Sequence, residues 1–170
     1  GRLMYSYRFT IPGKPTPWKR MRRNKDVYFN DKGQDDLKRA IALLCKRADG
    51  FVFAPHRAPV VMTVHAVFEL PQRIPKGDAR RMGSRHTFTP DADNIGKLIK
   101  DALNKVAYKD DCQVCDLILR KQWSDYNATH ITIELPNHEN IARTKASKAS
   151  ALTPAPTDHN EPDKGGSNHG

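Results

Sequence analysis

Hydrophobic positions along this chain recur with two different periods, and the switches between them mark the elements. Residues 4–11 alternate strictly, Tyr5, Tyr7, Phe9 and Ile11 against Met4, Ser6, Arg8 and Thr10, which predicts a strand with one buried face. Prolines at 12, 15 and 17 end that ladder. Leu37, Ala40, Ile41, Leu44, Cys45 and Ala48 then follow helical spacing, so a helix runs from a cap at Asn30 or Asp31 to about Ala48, where Asp49-Gly50 stops it. Residues 59–70 are the strongest strand: Val60, Met62, Val64, Ala66, Phe68 and Leu70 hold one face, and Val61, Thr63, His65, Val67 and Glu69 the other. A lone histidine in such a strand, His65, reads as structural. From residue 71 to residue 89 no period survives, and a loop of that length inside a small domain is a functional or mobile one.

Ile95, Leu98, Ile99, Ala102 and Val106 predict a second helix beginning near Asp93, weakened at Gly96 by ~1 kcal/mol against alanine. Cys115, Leu117, Leu119 and Trp123 share one face of a strand over residues 113–123, and Thr129, Ile131, Ile133 and Leu135 one face of a last strand. Ser124-Asp125-Tyr126-Asn127 between them is turn chemistry and predicts an antiparallel hairpin. The order β-α-β-α-β-β implies a single α+β domain over residues 1–136, a mixed sheet with helices packed on it. Residues 137–170 are rich in Ala, Ser, Thr, Pro, Asn and Gly, with almost no large apolar side chains, and read as a disordered tail.

Length and cysteine usage narrow the class. A chain of 170 residues can build one real core, not two. No apolar run reaches membrane length, and the first residues lack the apolar stretch of a signal peptide. Cys45, Cys112 and Cys115 are an odd set, which suits a reducing compartment. The expectation is a soluble, cytoplasmic protein with no membrane partner. Cys112-x-x-Cys115 lacks two further zinc ligands, and its thiols read as structural.

Charge says more. The formal net charge is +10, and the tail from Asn137 balances four basic against four acidic residues, so the whole excess falls on residues 1–136. Clustered cations gain from releasing phosphate counterions, which points to a nucleic-acid partner. Two segments supply them: Lys19, Arg20, Arg22, Arg23 and Lys25 beside Trp18, and Arg73, Lys76, Arg80, Arg81 and Arg85 in the long loop. Either run could equally be a solvated loop.

Against that background, acids gathered at one place need a reason. Asp91 and Asp93 stand at the mouth of the second helix, Lys97 follows Asp93 by one turn, and Asp110-Asp111 precede the next strand. Magnesium is held by one or two carboxylates with water and substrate phosphate, a need that Asp91, Asp93 and Asp111 could meet. Lys97 could then contact a scissile phosphate. The competing reading is plain: aspartates cap helices, and Asp93, Lys97 and Asp101 could be an exposed i, i+4 series.

Three linked motifs favour the first reading. Pro90-Asp91-Ala92-Asp93-Asn94-Ile95-x-Lys97, then Asp101-Ala102-Leu103-Asn104, then Tyr108-Lys109-Asp110-Asp111-Cys112-Gln113-Val114 closely resemble the RusA family of Holliday junction resolvases. The family pattern is Asp-x-Asp-Asn-x-x-Lys, an Asp-Ala-Leu helix and Asp-Asp-x-Gln-Val, and the layout agrees over roughly residues 3–136. The resemblance implies a homodimeric, magnesium-dependent endonuclease, with manganese as a substitute. It would nick four-way DNA junctions symmetrically during recombination and repair, leaving 5′-phosphate and 3′-hydroxyl ends. It assigns metal binding to Asp91, Asp93 and Asp111 and a catalytic role to Lys97, with Asn94 and Asp110 in support. A bacteriophage or prophage origin is also implied. Gly96, Pro90 and the C-terminal tail depart from the pattern without removing a catalytic group. A junction-binding protein without cleavage, or a nuclease for flaps and other branched DNA, would share these residues.

Overall fold

A four-stranded sheet carries two helices on one of its faces. The computed structural model describes residues 4–20, 22–24, 27–29 and 32–136, with the side chains of all but 22–24 and 27–29. In chain order the elements are β1 (Tyr5–Pro12), β2 (Arg22–Asn24), β3 (Val27–Phe29), α1 (Lys32–Lys46), β4 (Val60–Glu69), α2 (Ala92–Leu103), a 3-10 turn (Asp111–Gln113), β5 (Val114–Ser124) and β6 (Ala128–Leu135). The main sheet has the order β1-β6-β4-β5, and β2 pairs with β3 as a separate two-stranded ribbon. The predicted α+β architecture and its β-α-β-α-β-β order stand, with that ribbon added. It occupies what the sequence suggested was a basic loop, because Val27, Tyr28 and Phe29 are all strand formers.

The core lies between the sheet and the helices. Val60, Met62, Val64, Ala66 and Phe68 point into it from β4, joined by Tyr7 and Phe9 from β1 and Ile131, Ile133 and Leu135 from β6. Ile41 and Cys45 close it from α1, while Ala40, assigned to the same stripe from spacing, is exposed. Burial pushes the Cys45 thiol up to about 11, which makes it a packing group. The helix cap expected at Asn30 or Asp31, and the tail at 137–170, lie outside the described residues.

One topological expectation fails. β5 and β6 are not a hairpin: β5 runs parallel to β4, from Val60 opposite Val114 to Glu69 opposite Ser124, and β6 pairs antiparallel with β4 on its other edge. Residues 125–127 therefore cross the end of β4 and span two strand spacings, about 10 Å. Asn127 anchors that crossing, accepting from the Glu69 amide at 3.0 Å and donating to its carboxylate at 3.2 Å. Turn-forming residues suit either connection, and strand pairing decides between them. The β4-α2-β5 unit that results is a parallel crossover whose helix packs on the sheet.

Cys115 sits where the β4–β5 register slips, so it leaves the face shared by Leu117 and Leu119, and its thiol reaches the Val60 carbonyl at 3.4 Å. All three cysteines are free.

Candidate active site

The apolar stripe of α2, Ile95, Leu98, Ile99, Ala102 and Leu103, is buried, and the opposite side faces outward. Gly96 lies on the buried side: a Cβ there would stand 3.1 Å from Leu117 Cδ2 and 3.4 Å from Leu119 Cδ1. The glycine lets the helix approach β5 closely, which helix propensity alone did not reveal. That close seat carries four polar residues on its first two turns. Asp91 is the N-cap in extended conformation, and its carboxylate makes no capping hydrogen bond. Asp93 and Lys97 are exposed one turn apart, and Asn94 is half-buried beside them.

A strap from the end of β1 folds over this turn. The Trp18 amide donates to the Asn94 carbonyl at 2.9 Å, and the ammonium of Lys97 sits 3.4 Å from the centre of the Trp18 ring. Gln34 of α1 clasps the strap further on, accepting from the Lys19 amide and donating to its carbonyl. Between residues 14–19 on one side and residues 89–91 with Asn94 on the other lies a cavity of about 560 Å³. Such a volume lies within the range that takes a small ligand. The Thr89–Pro90 peptide in its wall is cis.

The second acidic motif is built as a cap. Asp110 accepts from the Cys112 amide at 3.0 Å, and Gln113 accepts from the amides of Lys109 and Asp110. Together they form a capping box around the 3-10 turn, and the hydrogen bond from Cys112 holds the Asp110 carboxyl below its usual range. Gln113 also donates to the carbonyls of Pro55 at 2.9 Å and Ala58 at 3.0 Å, which ties the turn to the loop before β4. Asp110 thus supports the turn that displays Asp111. Gln113, absent from the residues singled out by sequence, is the staple.

That turn lies at the far end of α2. Tyr108, just before it, donates to the Lys100 carbonyl at 3.0 Å, and its phenol is pushed up by burial first and then by the nearby Asp111 charge. Asp91 and Asp93 therefore open the helix, whereas Asp111 stands beside its last turn. Twelve residues at the α-helical rise separate the two groups by about 18 Å of axis. The sequence suggested that Asp111 would share one metal site with Asp91 and Asp93; because β5 is parallel to β4, it starts near the other end of α2, and Asp111 stands apart from them within one chain. Among the described residues no group of three or more His, Cys, Asp or Glu stands close enough together to hold a metal ion. Asp101 pairs with Lys38 at 3.8 Å and ties α2 to α1.

The basic candidates divide. Arg80 is bound to Asp78 and lies over the rings of Phe88 and Trp123, so it braces the long loop. Lys19, Arg20, Arg73, Lys76, Arg81 and Arg85 are exposed, Arg22 and Arg23 lie on β2, and Lys25 falls outside the described residues. Arg85 pairs in the backbone with Gln122 at the edge of β5, where Arg120 and Lys121 line the same recess. Those last two belong to a strand and gave no sequence signal as part of a charge run.

A family model for the endodeoxyribonuclease RusA matches residues 12–134. The chain belongs to the RusA endodeoxyribonuclease family. The RusA match contains both acidic motifs, Lys97 and the strap that carries Trp18. A relative in Bacillus subtilis (strain 168), described as the uncharacterized protein YqaN, is 30% identical over 141 residues, covering 74% of this chain and 94% of its own. Among the described residues no helix is long and apolar enough to cross a membrane.

Proposed function

We propose that this protein is a magnesium-dependent endodeoxyribonuclease that resolves four-way DNA junctions by paired nicks. The observation that carries this reading is the helix start. Asp91, Asp93 and Lys97 are exposed on the first two turns of α2, with Asp91 lining an open cavity, inside the span matched by the RusA family. Carboxylates next to an ammonium suit an anionic substrate only if a cation offsets their charge, which is the role assigned to Mg²⁺, or Mn²⁺ in its place. When bound, such a metal lowers the pKa of its water and stabilises the leaving oxygen of an in-line displacement.

One chain does not gather the three acids. Asp91 and Asp93 fit one part of a metal site, and Asp111 at the far end of the helix does not reach it. Two copies related by a twofold axis, with their α2 helices antiparallel, would bring Asp111 of each copy to the helix start of the other. The homodimer is therefore part of the proposed chemistry as well as of its symmetry. Within each site Lys97 would neutralise charge on the phosphate, Asn94 would orient it, and Asp110 would hold Asp111 in place. The exposed cations of the long loop and strap would position the DNA backbone.

Synthetic four-way, flap and linear DNA, each with and without Mg²⁺, test the reading. Paired nicks on the four-way junction, lost in Asp91→Asn while binding persists, are expected. Junction binding without metal-dependent cleavage would identify a binding module. Equal cutting of linear duplex would rule out a resolvase, and preferred cutting of flaps would reassign the substrate.

A further inference from the structure

We propose that Trp18 is a positioning residue for Lys97. In the DNA-free protein its indole seats the lysine ammonium, and an arriving backbone phosphate draws the ammonium off the ring. The inference rests on the reading of Lys97 as the phosphate contact.

A lysine on an exposed helix turn has a flexible four-carbon stem and a strongly hydrated head, so its default is many rotamers. Here the head lies 3.4 Å from the centre of an indole ring, the best aromatic partner for a cation. The ring is fixed relative to the helix that carries the lysine. The Trp18 amide is bonded to the Asn94 carbonyl in the first turn of α2, and the neighbouring Lys19 backbone is clasped by Gln34 of α1. Pro15, buried, and Pro17 stiffen the strap between. Tryptophan and lysine thus move with one element.

The choice of an aromatic partner matters chemically. A carboxylate would cancel the charge that the phosphate needs, and removing the lysine from it would leave a second buried or half-buried charge to resolvate. An indole holds the ammonium through its ring quadrupole and keeps the full charge available. Trp18 itself lines the cavity between the strap and Asp91, so the ring that seats the ammonium is part of the wall a nucleotide would meet. Restricting the lysine before DNA arrives lowers the ordering cost of the productive geometry.

Trp18 is one of two tryptophans, and the other, Trp123, is buried against Phe68 and His86, so a Trp123→Phe background isolates Trp18 emission. Without DNA, replacing Lys97 by Met keeps the chain length, removes the charge and is expected to shift that emission. Adding a four-way junction in EDTA should shrink the difference between the lysine and methionine forms. In cleavage, Trp18→Leu is expected to lower kcat/KM at least about tenfold, because the seat acts before the phosphate takes the ammonium, while Trp18→Phe, which keeps a ring, stays within about threefold of wild type. Coincident emission of the Lys97 and Lys97→Met forms would overturn the proposal. So would a Trp18→Leu variant with unchanged kcat/KM, or a Trp18→Phe variant no better than Trp18→Leu. A wild-type protein that cuts no DNA would overturn the nuclease reading instead, and the DNA-free emission would still decide whether Trp18 holds Lys97.

Discussion

Gly96 of α2 and Leu117 of β5 meet so closely that a methyl group on the glycine would stand 3.1 Å from the leucine Cδ2. This contact sets the height of α2 above the sheet, and with it the position of Asp91, Asp93 and Lys97. Leu117 is 42% exposed, so its side chain has room to turn aside. For Gly96→Ala the helical gain of about 1 kcal/mol should roughly offset that adjustment. Gly96→Leu has no such room and should cost about 1–3 kcal/mol, while reducing cleavage by lifting the helix. Urea unfolding of both variants reads the balance; an alanine variant destabilised as much as the leucine would show that Leu117 cannot yield.

Gln113 joins two loops that no strand connects. Its amide caps the turn bearing Asp111 and donates to the carbonyls of Pro55 and Ala58. Gln113→Ala leaves these groups unpaired in a place where the side chain is only 7% exposed. A loss of about 2 kcal/mol is expected. Gln113→Glu keeps the shape but loses the donor, and should destabilise as well. Denaturant midpoints at constant m-value measure both.

A site shared between copies makes an unusual prediction for mixtures. Asp93→Asn and Asp111→Asn should each be inactive alone. Mixed and allowed to exchange, half of the dimers are mixed, and each of these contains one site with both native acids. Nicking should return to about a quarter of the wild-type rate, as single nicks instead of paired ones. If all three acids served one metal within a single chain, the mixture would stay dead.

His86 lies face to face with Phe68, ring centres 3.8 Å apart, and 4.3 Å from the ring centre of Trp123. Burial first, and then the Lys121 and Lys14 charges, push its pKa below the ordinary 6.5. The unfolded chain therefore binds the proton more readily. The stability contributed by neutral His86 is complete above pH 6.5 and is lost as pH falls through the lower folded value. His130, lowered by burial and by His65 across the strands, acts in the same direction. Thermal unfolding should show a lower Tm at pH 5 than at pH 7.5. His86→Phe, which keeps an aromatic ring in the stack, should reduce that difference; an unchanged difference would move the acid sensitivity to His130.

Arg80 and Arg81 are neighbours in one basic run, yet their expected behaviour differs. Arg80 binds Asp78 and covers Phe88 and Trp123, whereas Arg81 is exposed. Arg81→Ala should weaken junction binding and reduce its salt dependence with little change in stability. Arg80→Ala should loosen the loop and lower Tm. Fluorescence anisotropy across a salt series, alongside thermal unfolding, separates the two.

Several features of this protein were decided by local periodicity and spacing. Alternation over residues 60–69 and the helical stripe of Ile95, Leu98, Ile99 and Ala102 specify those elements because burial of one face is a property of neighbouring residues. The motif around Asp91, Asp93 and Lys97 could be read for the same reason: a helix start and one following turn are contiguous in sequence. Tertiary structure decided everything that depends on which strands pair. A parallel β5 separates β5 from β6, sends Asp111 to the other end of α2 and turns an expected three-acid cluster into two separated parts. It also gave Gly96 its purpose, through Leu117, and brought Trp18 onto Lys97 from 79 residues away. None of these contacts has a period in sequence, because each arises from the packing of elements that are distant along the chain.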